Sequence, residues 1–389
     1  MKAEERSHGE DASSPLEKLW STAHEIAMAF STAERSRWHR RGVTRKGERI
    51  FNIISAGLLV MFAIGWSWSI ANAKTGEGLP AGVNPTAARL SAALSDGDAP
   101  SLAYLTEAML ESVVPKGESG KLRARIAAPG SSVGTDTLPS GAVATFSSGS
   151  AAESTKVFRA PQRTGVWKLA INVGNAVRSV SDFSIITQKP ASEKRAGKIG
   201  LYYIGNWPNR GKTPKADYTP PSGFIEVTPE NQNTQLSEHF RMRDFLPHDQ
   251  ANVWPKYLVV SLKLIDKLEL VLADLQKQGI DPRGVRVMSG FRTPQYNAGG
   301  GETSGRAGLS RHMYGDASDI FIDNDGNGVM DDLNKDGRVD IGDARFILAA
   351  VNRVEAAHPS LIGGCGVYRA TSAHGPFTHI DTRGYPARW

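Results

Sequence analysis

The 389 residues contain one cysteine, Cys365, so no disulfide can form within the chain. Nothing near that cysteine in "GGCGVY" makes a Cys/His catalytic signature, and it reads as a small buried residue rather than a nucleophile. A strong charge excess is missing as well. The net charge is +6, which is modest for this length, and no RNA- or DNA-binding motif occurs, so nucleic acid is set aside as a partner. Self-similarity at solenoid periods is absent, which excludes a stacked-repeat fold. What the chain has is bulk: 40% apolar residues over a length that suits two or three domains, each with its own core.

The charges that exist are unevenly placed. Residues 1–49 are polar and close on a basic cluster of Arg35, Arg37, Arg40, Arg41, Arg45, Lys46 and Arg49. The run "IFNIISAGLLVMFAIGWSWSIANA", Ile50 to Ala73, carries no charge and is long enough to cross a hydrocarbon core of ~30 Å as a helix. Trp66 and Trp68 suit its far interface, and the preceding cations predict a cytoplasmic N-terminal tail with everything after Ala73 exported. Ala71 and Ala73 also form an A-x-A pattern that a signal peptidase recognises.

Residues 74–118 are rich in small residues and read as a linker. Over 119–190, "KLRARIAA", "AVATF", "GVWKLAINV" and "DFSIITQ" alternate apolar with polar residues, with Trp167, Leu169, Ile171 and Val173 on one face. Short alternating runs between Gly, Pro and Ser turns predict a small all-β, immunoglobulin-like sandwich. After a linker, Gln188 to Lys198, residues 195–389 read as an α+β domain. Val260, Leu264, Leu268, Val271, Leu272 and Leu275 recur at helical spacing up to Gly279, the pattern of a core helix. "GVRVMSGFRT" and "ASDIFID" read as strands, "DARFILAAVNRVEAAHP" as a helix and "GPFTHIDTRG" as a last strand.

Two kinds of metal site can be weighed in this domain, against ordinary structural histidines and a bare Asp/Asn/Gly turn that binds no ion. His312 and Asp319 lie in S-x-H-x-x-G-x-A-x-D and His379 in "THID". Two histidines and a carboxylate satisfy a catalytic zinc ion, which needs three N or O ligands and one open position. Further on, "DLNKDGRVDIGD" matches the calcium loop of an EF-hand or dockerin. Asp332, Asn334 and Asp336 stand at positions 1, 3 and 5, Gly337 at the sharp turn, the Arg338 carbonyl at 7, Asp340 at 9 and Asp343 at 12, as Ca2+ coordination requires. Asp323, Asp325 and Asn327 just before it repeat the spacing and offer a possible second calcium site within the insertion 323–343.

"SRHMYGDASD", with "SGFRTPQYN" upstream and "PFTHIDTRGYPARW" downstream, resembles the zinc D-alanyl-D-alanine peptidases of the M15 class, which share a fold with the hedgehog signalling domain. The likeness spans about residues 195–389. It implies a bacterial, cell-envelope metallopeptidase that cuts peptidoglycan stem peptides or their cross-links, here on a single-pass inner-membrane anchor over 50–73. Carried over by position, His312, Asp319 and His379 are the zinc ligands, and Arg292 is the arginine that steadies the substrate carbonyl. Many relatives place a glutamate three residues before the last ligand; here Pro376 stands there. His374 is then the general base by analogy with relatives that use a histidine, and Asp381 is a second candidate, placed to orient His379. Alternatives in other classes are a non-catalytic peptidoglycan-binding module and a structural envelope protein.

Overall fold

The computed structural model describes residues 114, 116–134, 138, 142–173, 176–209, 211–212, 217–299 and 307–389. The expected membrane span, Ile50 to Ala73, and most of the 74–118 linker lie outside these residues.

Alternation of apolar and polar residues produces the first sheet. Strands β1 (Ala124–Ala127), β2 (Ala142–Ser148), β3 (Ala151–Thr155), β4 (Gly165–Val173) and β5 (Ala176–Thr187) join in the order β1-β5-β4-β2-β3, with β1 parallel to β5 and the other pairs antiparallel. Trp167, Leu169 and Ile171 are buried on one face of β4, against Phe146 and Phe158. The immunoglobulin-like sandwich is thereby corrected: five strands bond into one mixed sheet, not two facing ones. The reason is visible at Ile185 and Ile186, adjacent in β5 and pointing to opposite faces. Ile185 belongs to the sheet's own core, whereas Ile186, with Leu122 and Ala124, packs into the core of the C-terminal region. The face that a second sheet would cover in a sandwich, that of Trp167, Leu169 and Ile171, is packed instead by Val133, Leu138 and Phe158 from outside the strands.

Short strands follow. β6 (Lys189–Pro190) flanks a three-stranded sheet; β7 (Lys198–Ile199) pairs with β8 (Tyr202–Tyr203), and β9 (Gly211–Lys212) with β10 (Asp217–Tyr218). β11 (Gly223–Val227) and β12 (Lys256–Leu258) complete the three-stranded sheet in the order β12-β11-β6. The second large sheet holds β13 (Val285–Ser289), β14 (Ala317–Ile322), β15 (Gly364–Tyr368), β16 (Phe377–Asp381) and β17 (Ala387–Arg388), ordered β13-β14-β16-β15-β17, with β15 and β17 parallel. Among the described residues the helices are few: α1 (Leu262–Lys277), the short α2 (Pro294–Gly299) and α3 (Ile341–Ala357), besides isolated 3-10 turns. Mixed sheets with few helices stand where the sequence predicted a hedgehog-like α+β domain beside a sandwich.

The single-pass membrane location is corrected for the described residues: no helix among them is long and apolar enough to cross a membrane. The longest, α3, has 17 residues, which at ~1.5 Å per residue is shorter than a ~30 Å hydrocarbon core. α1 places Asp266, Lys267 and Glu269 on buried positions beside its leucines, a charge density that suits a protein core with partners and not a lipid face. Each of the three is matched. Asp266 accepts from the backbone N–H groups of Glu118 and Ser119 at 2.7 and 2.9 Å. Lys267 Nζ donates to Glu355 at 2.6 Å and to the Asp381 carbonyl at 2.7 Å, and Glu269 holds His239 at 2.7 Å.

Candidate metal centre

β14 and β16 run antiparallel with Asp319 directly opposite His379. Cross-strand pairs bring side chains within reach of one another, so two ligand candidates are fixed by sheet register alone. His312 arrives from a 3-10 turn, Arg311–Tyr314, that ends at Gly315 with φ +71°. A Cβ at Gly315 would lie 2.5 Å from the Val259 carbonyl oxygen, so both conformation and contact demand glycine there.

The three side chains converge. His379 Nδ1 lies 2.8 Å from Asp319 Oδ1, His312 Nε2 lies 3.2 Å from the same oxygen, and the two ring nitrogens are 3.2 Å apart. All three residues are buried. Around a tetrahedral ion with bonds of ~2.0–2.1 Å, ligand atoms sit about 3.3 Å from each other, close to these separations.

Proton accounting sharpens the fit. His312 Nδ1 is 2.7 Å from the Gly290 carbonyl, which only accepts, so that nitrogen carries the proton. His379 Nε2 is 3.2 Å from Asp381 Oδ2 and donates to it. In the neutral rings the nitrogens that face each other are then both lone pairs, and the third atom of the triangle is a carboxylate oxygen. Three acceptors pointed at one spot in a buried site repel unless a cation joins them. Outward N–H groups tied to a carbonyl and a carboxylate are also how metal-bound histidines are oriented.

Without metal, a proton serves as that cation. Burial alone would lower the His379 imidazole, but the hydrogen bonds to Asp319 and Asp381 and their charges outweigh it and lift it to about 8. Burial lowers His312, and Arg292 and His379 add to that despite Asp319. Asp319 is pushed up by burial yet held well below the usual carboxylate range by His312 and His379. Because folding raises His379 above its ordinary 6.5, the metal-free protein keeps this stabilisation below pH 6.5 and loses it as pH rises through about 8. Metal uptake runs the opposite way, since the ion must displace the proton. In chelator, the melting temperature should therefore fall between pH 6 and pH 9, while zinc affinity rises over the same interval. Parallel thermal melts and zinc titrations check both signs.

The remaining predicted residues take distinct places. Arg292 Nη2 donates to Asp319 Oδ2 at 2.6 Å and its Nε to the Ser289 hydroxyl at 2.8 Å; it backs the ligand carboxylate and lines the same cleft. Asp381 is fully buried behind His379, where it accepts from the Gly364 N–H at 2.7 Å and from Arg383 Nε at 2.9 Å. It orients His379 and has no opening toward a substrate. His374 lines the cleft in front of the ligands. Its Nδ1–H donates to the Gly375 carbonyl at 2.8 Å, which leaves Nε2 as the basic nitrogen. Cys365 is buried, and burial pushes its thiol up to about 12, an inert state. His239, His248 and His358 lie elsewhere, bonded to Glu269, the Met288 carbonyl and Glu118.

In the acidic insertion, Asp332 accepts from the N–H groups of Asp336 and Gly337 at 3.1 and 2.8 Å, and Gly337 has φ +82°. Asn334 Oδ1 accepts from the Asp336 N–H and Asp336 Oδ1 from the Arg338 N–H, both at 2.9 Å. Asp340 and Asp343 form the capping box that starts α3, and Asp343 also accepts from the Leu333 N–H at 2.8 Å. The tightest carboxylate group is in the preceding turn: Asp323, Asp325 and Asp331 bring oxygens within 4.8 Å of one another. Asn327 instead donates its N–H to Asp323 and Asp325. Asp331 was missed in the sequence, although it is position 9 of the twelve-residue frame that starts at Asp323.

No family model, curated protein or solved structure matches the chain.

Proposed function

We propose that this chain is a zinc-dependent metallopeptidase that hydrolyses peptide bonds of peptidoglycan stem peptides or their cross-links. One observation carries the reading: three buried acceptors, His312 Nε2, His379 Nδ1 and Asp319 Oδ1, face one point while the outward nitrogens of both rings are already bonded. The substrate class rests on the likeness of the three motifs around Arg292, His312–Asp319 and His379 to the D-alanyl-D-alanine peptidases. A zinc ion held there supplies Lewis acidity, which polarises a carbonyl and brings the pKa of water towards ~7. The chain's own residues do the rest. His374 Nε2 takes the proton of the attacking water and passes it to the leaving amine. Arg292 fixes Asp319 and lends positive charge to the side of the cleft where the oxyanion develops.

Mass analysis of purified peptidoglycan peptides, incubated with the zinc-loaded chain, tests this. Loss of a D-alanine or splitting of cross-linked peptides is expected, abolished by chelation and restored by zinc. Peptide binding with no cleavage would make the protein a wall-peptide binder instead.

The segment 323–343 is proposed to hold Ca2+ as a structural ion, because its close carboxylates repel one another when bare. Calcium at ~100 times its Kd should raise the melting temperature by about 5–10 °C, since binding to the native state alone stabilises it by mass action. The joint variant Asp332→Ala with Asp336→Ala reports on one loop and Asp323→Ala on the other. If calcium leaves the melting of the unaltered chain unchanged, neither loop is a calcium site.

A further inference from the structure

The cleft in front of the three ligands encloses about 920 Å³, and four arginines line it: Arg292, Arg311, Arg369 and Arg383. Three of these charges are already answered. Arg292 is paired with Asp319 at 2.6 Å, Arg311 Nε with Asp316 at 3.0 Å and Arg383 Nε with Asp381 at 2.9 Å. Arg369 is exposed and has no carboxylate partner among the described residues. The lining holds one side-chain carboxylate, Asp319, and that group belongs to the metal site. An unanswered guanidinium beside a site built to hold a divalent cation gives the cleft a net positive field, which draws in anions.

Arg369 is also joined to the metal site by a continuous wall. It directly follows Tyr368, whose ring stacks on Phe377 with centroids 4.5 Å apart and planes 4° from parallel. The Tyr368 hydroxyl accepts from Trp389 Nε1 at 2.7 Å, and the Trp389 indole lies 5.3 Å from the His379 ring. Gly366 makes room for this wall, because a Cβ there would collide with the indole. A rigid aromatic surface thus runs from the residue next to Arg369 to a metal ligand, and a guanidinium is suited to bidentate recognition of a carboxylate.

We propose that Arg369 anchors a carboxylate of the substrate, so that the cleft selects acidic peptides and sets the amide to be cut against His312, Asp319 and His379. This rests on the peptidase reading above and narrows its substrate class. Arg369 is a specificity residue here and touches neither metal nor scissile bond.

The test uses the zinc-loaded full chain and three N-acetylated peptides: one ending in D-Ala-D-Ala as the free acid, its C-terminal amide, and an amide with D-glutamate in place of the residue before D-Ala-D-Ala. Binding is followed by calorimetry and cleavage by mass analysis. One or both carboxylate-bearing peptides should bind roughly tenfold more tightly than the neutral amide, and the pair of acids tells a terminal from a side-chain carboxylate. Arg369→Ala should erase that preference through KM, with kcat and zinc content unchanged, and Arg369→Lys should recover part of it. Equal binding of all three peptides, or a preference that survives Arg369→Ala, overturns the assignment. Should no peptide be cleaved, the peptidase reading fails while the binding comparison still decides the role of Arg369.

Discussion

Replacing His379 with alanine is expected to take bound zinc from about one equivalent to a small remnant, and peptide hydrolysis below detection with it. The variant leaves one nitrogen and one carboxylate oxygen at a site that needs three protein ligands. It also removes the donor that Asp381 accepts from and the imidazolium that offsets Asp319. Arg383 and the Gly364 N–H still satisfy Asp381, and Arg292 still satisfies Asp319. The fold should therefore persist with a lower melting temperature, which a thermal melt of the same sample establishes. His312→Ala is the companion, because its removal strips a ligand without taking a partner from any carboxylate except Asp319. Loss of metal in both, with folded protein in both, is the expected result. Zinc retained at full stoichiometry in either variant means that residue is no ligand.

The second large effect separates chemistry from metal binding. His374→Ala should keep zinc and lose activity by about 10²–10⁴-fold, the usual worth of a positioned acid–base group. The separation follows from geometry. His374 shares the cleft with His312, Asp319 and His379, yet among the described residues its only ring-nitrogen hydrogen bond goes to the Gly375 carbonyl, with its ring edge-on to Phe377 at 5.0 Å. No bond links it to His312, Asp319 or His379. Asp381→Asn gives a different pattern. It touches the metal through His379, so it should weaken zinc binding by about 10–100-fold and leave turnover of the fully loaded protein much less affected. Metal content and initial rates on matched samples resolve the two. Normal turnover in His374→Ala would move the base role to another group in the cleft.

The meeting of His312, Asp319 and His379 was legible because each member sits in a short local pattern. The register that sets Asp319 opposite His379 follows from two strands whose alternation is visible in "ASDIFID" and "FTHID". The rest depended on what lies across the chain. Alternation reveals the two faces of β4 and β5 but not what covers them: Val133, Leu138 and Phe158 pack on one face and a C-terminal core on Ile186 at the other, where the sequence predicted a second sheet. Helical periodicity found Leu264, Leu268, Val271 and Leu275, yet Lys267 lies on the same stripe, three residues after Leu264. Only its distant partners, Glu355 and the Asp381 carbonyl, explain why a cation can be buried there. "GGCGVY" drew attention to its cysteine, whereas the structure gives the work to the glycines. Gly363 and Gly364 let Asp381 approach, and Gly366 admits Trp389.

Zinc titration of the metal-free chain, set beside hydrolysis of D-alanyl-terminated stem peptides on the same preparation, tests the central claim most directly. The expected result is one tight zinc site, lost in His312→Ala and His379→Ala, with hydrolysis that appears in proportion to zinc bound. Zinc affinity that is the same in the unaltered chain and in both variants would contradict the account.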